Sequence, residues 1–507
     1  MTGAVDSQPR GTLYRYLLGH VLALLVAVWP IWNVSMLPLV DYTNHLARMH
    51  VLHSYAESPA LQENYVVQWA LLPYLAMDAV VLPLLEITDI YTAARIFVLV
   101  AFLLTAVGVT GLQWTATKRI GPASFLVYPV LYSTNLGWGF VPFVFGIGLA
   151  LCLLIGVLAL QGRHYVVRLG YLAFAFTLMY LCHLLTMGIF ALLVACVVTA
   201  ETRWFSRDFF ARGLEVTPAF IPSVLLFTQV PPFPGGVAVT EGWFNPVKLI
   251  PLAFNADYSM ALVAMIPIAT VLYIGWRERF LAVGSPAMWR CLLVTGGVAL
   301  VMPERLFNVG LVGLRLPYVW LLLLAAGVEF RSSHVRKEAM YALYVVFVAF
   351  FGFRHVTIAN ALGTCDAKLV EFREATQKLP EGTSLMSIYS LQDVEPCGNN
   401  HWVEHVNTIA IIERDVFVPN LFVKINPVSP TPERDDPGYN VILPTRIESF
   451  FPGDPGYEAT PRKMREWRQN FAYISYFHSE EMVPIPNTTT IHSGSWFSIL
   501  RVEPGDP

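Results

Sequence analysis

Charge is what this 507-residue chain has least of: Asp, Glu, Lys and Arg make up only 14% of it. A soluble domain carries about a quarter. With 55% hydrophobic residues, the chain needs lipid as part of its solvent. Cysteine is also scarce, six in all, and no Cys/His spacing matches a strong zinc signature. No repeat of fixed period is present, which excludes a repeat array. No small-residue cleavage site follows the apolar run 14–36, which excludes a removable signal and leaves a span.

The charges that exist are unevenly placed. Residues 1–354 hold 21 Lys+Arg against 16 Asp+Glu, and residues 355–507 hold 12 against 20. The chain therefore reads as a basic membrane domain, 1–354, and an acidic tail domain, 355–507. Apolar runs at about 14–36, 92–114, 121–137, 139–161, 167–182, 184–200, 216–231, 257–276, 287–302, 314–330 and 338–354 give eleven expected spans. A twelfth stretch, 66–86, contains Gln68, Pro73, Asp78 and Pro83 and suits the membrane surface better than its interior.

Lys and Arg concentrate in cytoplasmic loops. With 66–86 kept out of the count and the N-terminus inside, 15 of the 21 basic residues of the membrane domain fall on the cytoplasmic side. The outside keeps Arg48, Arg95, Lys248, Arg305, Arg315 and Arg354. The first outer loop is then 37–91, and the tail is extracytoplasmic, which in a bacterial inner membrane means periplasmic. Cys365 and Cys397 lie in this tail and could pair there. The other four cysteines lie in apolar runs, as small buried hydrophobes. In the tail, a helix is expected at 366–378 and strands at 383–389, 407–412, 471–477 and 497–502. The fold class expected is a mostly α, polytopic transmembrane bundle with a small extracytoplasmic α/β domain.

Polar residues at membrane depth are costly and point to function. Four groups fall at the outer ends of spans. After Pro38, a helix can restart with Asp41 at its N-terminus, placing Asp41, His45 and Arg48 on one face, with Asn44 beside them. The plain alternative is that Asp41 only caps that helix. Asn135 and Trp138 occupy a tight Gly-flanked turn, offering hydrogen bonds and a stacking face or simply an aromatic belt. His183 sits where a long apolar stretch must turn, as a site residue or a satisfied core histidine. Glu304, Arg305 and Arg315 stand at the outer start of the tenth span. An arginine there can reach lipid headgroups or grip a phosphate in a fork.

A cytoplasmic N-terminus, many spans, a first outer loop directly after span one with an acidic residue, and an outward tail together resemble the GT-C superfamily of polyprenyl-phosphate-sugar-dependent glycosyltransferases. The segment PLVDYTNHLAR also resembles a set of uncharacterised bacterial membrane proteins grouped with them. One departure is clear: the family usually has two adjacent acidic residues, and here Tyr42 follows Asp41. The resemblance implies Asp41 as general base, Arg315 and then Arg305 as groups for the donor phosphate, and Asn44, His45, Arg48, Trp138, His183 and Glu304 as substrate contacts. It implies a polyprenyl-phosphate-linked sugar as donor and a glycan, lipid or protein as acceptor, with membrane lipids around the chain. No cofactor and no nucleic acid enter this reading; a divalent metal is possible but not favoured. The competing expectations are a transporter or flippase for a lipid-linked glycan, which would carry midplane charges or broken helices, and a non-catalytic envelope scaffold.

Overall fold

The structure is a computed structural model that describes all residues except 1–7, 231–238, 241–247, 249, 255–257, 278–279, 307–308, 331–336, 391–396, 398–399, 424–425, 440–444, 455, 479–482 and 504–507. The chain forms two compact units. A helical unit takes Met1–Pro30, Leu71–Met77 and Ile96–Ala359. A mixed unit takes Ile31–Ala70, Asp78–Arg95 and Asn360–Pro507, so the segment 37–91 contributes most of its length to the same unit as the tail.

Among the described residues, six helical stretches are long and apolar enough to cross a membrane: Arg10–Trp32, Ile90–Thr117, Val141–Ala159, Tyr165–Cys182, Arg207–Phe227 and Tyr344–Thr376. Other expected spans are shorter helices, such as Leu184–Val198, Pro286–Val301 and Arg315–Gly327. The run 121–137 differs most from expectation. It breaks into a 3-10 turn Pro122–Leu126 and helices Val127–Leu131 and Thr134–Gly137. Pro122 and Pro129 withhold two backbone donors, and the Ser133 hydroxyl caps a new helix through Leu136 N. The break leaves carbonyls without helical partners. Arg354 collects them: its Nε donates to Pro129 O at 3.3 Å and its Nη2 to Tyr132 O at 2.6 Å. This arginine is thus occupied by backbone.

Small residues let helices of this unit approach closely. A Cβ at Gly108 would stand 2.6 Å from Leu151 Cβ, and one at Gly148 would stand 2.8 Å from Thr105 Oγ1. In lipid, where no hydrophobic force separates helix from tail, such backbone proximity is what holds a pair together. The stretch 66–86 does not span. It forms the strand Tyr65–Val67 and a ten-residue helix Ala76–Leu85, about 15 Å long against a hydrocarbon core of about 30 Å.

In the mixed unit a five-stranded sheet runs in the order Thr488–Ser493, Phe497–Val502, Tyr473–Phe477, Leu385–Tyr389, Thr445–Arg446. The expected strands near 383, 471 and 497 are present. The edge strand Thr488–Ser493 was not expected, because its composition is mainly polar and its pairing carries a bulge between Thr490 and His492. The expected strand 407–412 is instead the turn Val406–Thr408 and the helix Ile409–Arg414. A short apolar run fits either element by composition. Here the Thr408 hydroxyl turns back to His405 O, and Asp415 ends the helix in a left-handed conformation, φ 53°. The sequence also divides what the structure joins: the expected last span and the expected tail helix are one helix, Lys337–Thr376. Its Phe372 packs on Phe497 at 5.0 Å between ring centroids, in the core of the sheet. Cys365 and Cys397 are disulfide-bonded, with Cα atoms 5.5 Å apart.

Candidate functional site

In the mixed unit, the helix Tyr42–Ser54 begins where Pro38 allows it, with Asp41 at the capping position. Asp41 does not act as a cap: its side chain accepts no hydrogen bond from the helix. Its Oδ1 instead stands 3.5 Å from His405 Nε2, and the carboxylate keeps 17% exposure while the imidazole is 3% exposed. Asn44 lies one turn on and is buried. Its Nδ2 donates to Asn420 O at 2.7 Å and approaches His405 Nδ1 at 3.2 Å, and its Oδ1 accepts from Phe422 N at 2.7 Å. His45 packs edge-on to Phe422 at 5.7 Å. Burial, then the charges of Arg48 and His405, push the His45 imidazole down to about 3, and burial pushes His405 down to about 4. Both rings are therefore neutral at neutral pH.

Arg48 is buried and forks onto Asp78, with Nη1 3.0 Å from Oδ2 and Nη2 on Oδ1. Its charge is spent on that carboxylate. His50 lies at 2.6 Å from Asp415 Oδ1, and Ser58 Oγ donates to Oδ2 at 2.6 Å. Burial pushes the Asp415 carboxyl up, but the bonds from His50 and Ser58 outweigh it and hold it below the usual range. No three His, Cys, Asp or Glu among the described residues converge as a metal-ligand set. A polar cavity of about 470 Å³ opens in this unit between Trp32, Asn33, Asp89, Thr92, Arg95 and Arg373.

The helical unit gathers the other expected groups. Arg315 opens the helix Arg315–Gly327 and lies over the rings of Phe140 at 4.2 Å and Phe143 at 5.2 Å. His183 stands in extended backbone, φ −169°, between the helices ending at Cys182 and starting at Leu184. Its ring meets Tyr74 at 4.6 Å and also Phe143, at 5.8 Å. Trp138 stacks with Phe140 at 6.2 Å, and the turn after it needs Gly139 at φ 78°. Asn135 Nδ2 donates to Leu314 O at 3.2 Å, so the turn holds the start of the Arg315 helix. His183, Trp138 and Arg315 thus meet around Phe140 and Phe143. Arg305 is exposed on the two-residue strand Arg305–Leu306. Lys248, a buried cation, donates to Met302 O, and the charge of Glu304 acts on it. An apolar cavity of about 630 Å³ lies elsewhere in this unit, among Leu22, Phe125, Ile268, Leu324 and Phe347.

Sequence reasoning missed His405, Asn420, Phe422 and Tyr74. Local signals are absent for all four, except that His405 ends a run His401-Trp-Val-Glu404-His405 unusually rich in ionisable groups.

No protein-family model matches the sequence, and no curated protein does. The fold does match solved structures. ArnT from Cupriavidus metallidurans bound to undecaprenyl phosphate aligns over 96% of this chain and 97% of its own, with a TM-score of 0.53 at 13% identity. The apo form of the same protein aligns over 96% and 98%, with a TM-score of 0.50 at 14% identity. ArnT is a GT-C glycosyltransferase, so the likeness agrees with the resemblance read from the sequence at the level of a helical membrane fold, whereas six rather than eleven helices among the described residues are long and apolar enough to span.

Proposed function

We propose that this protein is a membrane glycosyltransferase that moves a sugar from a polyprenyl-phosphate donor to an acceptor hydroxyl, with Asp41 as general base. The observation that carries this reading is the state of Asp41. It opens a helix yet leaves that helix uncapped, and it is met by a buried neutral histidine while its carboxylate stays reachable. In the reaction, the acceptor oxygen attacks the anomeric carbon. The new C–O bond forms as the bond to the phosphate oxygen breaks. The hydroxyl proton passes to Asp41, and polyprenyl phosphate leaves with the bonding pair. Arg315, boxed by Phe140 and Phe143, stabilises charge on that phosphate, with Arg305 as a secondary contact. Asn44, His45, Trp138, His183 and Glu304 shape the substrate sites. Arg48 acts through Asp78 rather than on substrate. The apolar cavity has the right lining for hydrocarbon. The Cys365–Cys397 disulfide supports a tail in the periplasm of a bacterial inner-membrane protein.

The test uses membranes carrying the full chain and a panel of radiolabelled polyprenyl-phosphate sugars. Wild-type protein transfers label from at least one donor, and Asp41→Asn lowers that transfer by about 10²–10⁴-fold, the usual worth of a general base. An inserted Asp41→Asn protein that transfers at the wild-type rate removes Asp41 from the chemistry.

A further inference from the structure

The surroundings of His405 determine its hydrogen-bonding state step by step. The Asn44 amide can face only one way. The Phe422 backbone N–H can only donate, so the atom 2.7 Å from it is the Asn44 oxygen. The Asn420 carbonyl can only accept, so the atom 2.7 Å from it is the Asn44 nitrogen. That nitrogen has donors and no lone pair to offer, and it lies 3.2 Å from His405 Nδ1. Nδ1 must therefore be the acceptor. A neutral imidazole carries one proton, which leaves it on Nε2, the atom 3.5 Å from Asp41 Oδ1.

The ring is also held in place. Thr43 and Thr408 hydroxyls both donate to His405 O, at 2.8 and 2.7 Å, and Phe422 packs edge-on at 4.9 Å. His45, itself neutral, packs on the same Phe422 ring, and Arg48, whose charge acts on His45, is committed to Asp78. Neutrality matters for a base. A protonated imidazole at position 405 would add to whatever holds the carboxylate ionised, whereas a neutral N–H orients it at smaller cost.

We propose that His405 is a positioning residue for Asp41: Asn44 sets its tautomer, and its Nε2–H holds one oxygen of the carboxylate in the orientation that accepts the acceptor's proton. The proposal rests on Asp41 being the base. A histidine serving only as packing would do equally well in either tautomer.

Glutamine and asparagine at position 405 separate these roles, because the Gln amide nitrogen falls near Nε2 and the Asn nitrogen near Nδ1. His405→Gln keeps transfer within about tenfold of wild type, and His405→Asn loses about 100-fold in kcat, the scale of a misplaced catalytic group, with donor KM little changed. In His405→Asn the acid limb of the rate profile also moves to higher pH. Equal rates and an unmoved limb in both variants, with Asp41→Asn inactive, overturn the role of His405 alone. Wild-type transfer by Asp41→Asn overturns the base itself. A readout without turnover is ¹⁵N NMR of histidine-labelled full-length protein in nanodiscs, the His405 signals assigned by their loss in His405→Gln. Protonation at Nε2 is expected, and protonation at Nδ1 defeats the proposal.

Discussion

Two groups of candidate site residues, one in each unit, differ in the contacts they make. In the mixed unit the groups hold one another. Asp41, His405, Asn44 and Asn420 form a chain of side-chain and backbone contacts, and Arg48 closes on Asp78. In the helical unit the cation Arg315 and the imidazole of His183 are boxed by aromatic rings. A chain of directed contacts depends on the position of each atom. A ring box responds mainly to charge, since the attraction between a cation and a π face is broad. The first arrangement suits proton transfer, and the second suits a phosphate that arrives and departs.

That contrast can be broken most severely at Arg48. Arg48→Ala leaves Asp78 buried and unpaired and costs about 3–5 kcal/mol, read from thermal unfolding of the purified chain. Replacing both partners, Arg48→Met with Asp78→Leu, recovers most of that loss. A single variant as stable as wild type shows that the fork is not structural. Next comes Arg315. Arg315→Ala lowers kcat/KM for the lipid-linked donor by about 10²–10³-fold, while Arg315→Lys retains an intermediate rate because the ring box still meets a charge. Equal loss in both variants points to fork geometry instead, and erases the distinction between the units.

The smallest effect is expected at Asp415. Its folded carboxyl lies below the ordinary value, so it contributes stability above the unfolded-state value, about 3.9. That contribution disappears as pH falls through the folded value. Asp415→Asn lacks it throughout, so the stability curves of variant and wild type converge in acid. Curves that stay parallel from pH 6 to pH 3 assign the His50–Asp415–Ser58 cluster no such role.

Some of this was legible before any coordinates. Asp41, Asn44 and His45 stand out because Pro38, an acidic residue and a helical spacing lie within eight positions. Cys365 and Cys397 stand out because the other cysteines lie in apolar runs. The partners were not legible, because His405 and Asn420 are 361 and 376 positions from Asn44 and no local pattern links them. Arg354 carries the opposite lesson. The sequence places it only among the basic residues expected outside, and the structure gives it to carbonyls freed by a helix break that hydropathy alone does not reveal. The run 407–412 shows the remaining gap. Its apolar residues suit a strand or a helix, and tertiary packing decides.

The distance along the chain between Asn44 and His405 also sets an order of manufacture. At about 5–20 residues per second, the ribosome needs roughly 20–70 s to pass from one to the other. Through that interval the carboxylate at position 41 exists without the imidazole that meets it in the finished protein. A nascent chain halted before position 405 therefore carries the Asp41 carboxylate without the imidazole that approaches it in the folded protein.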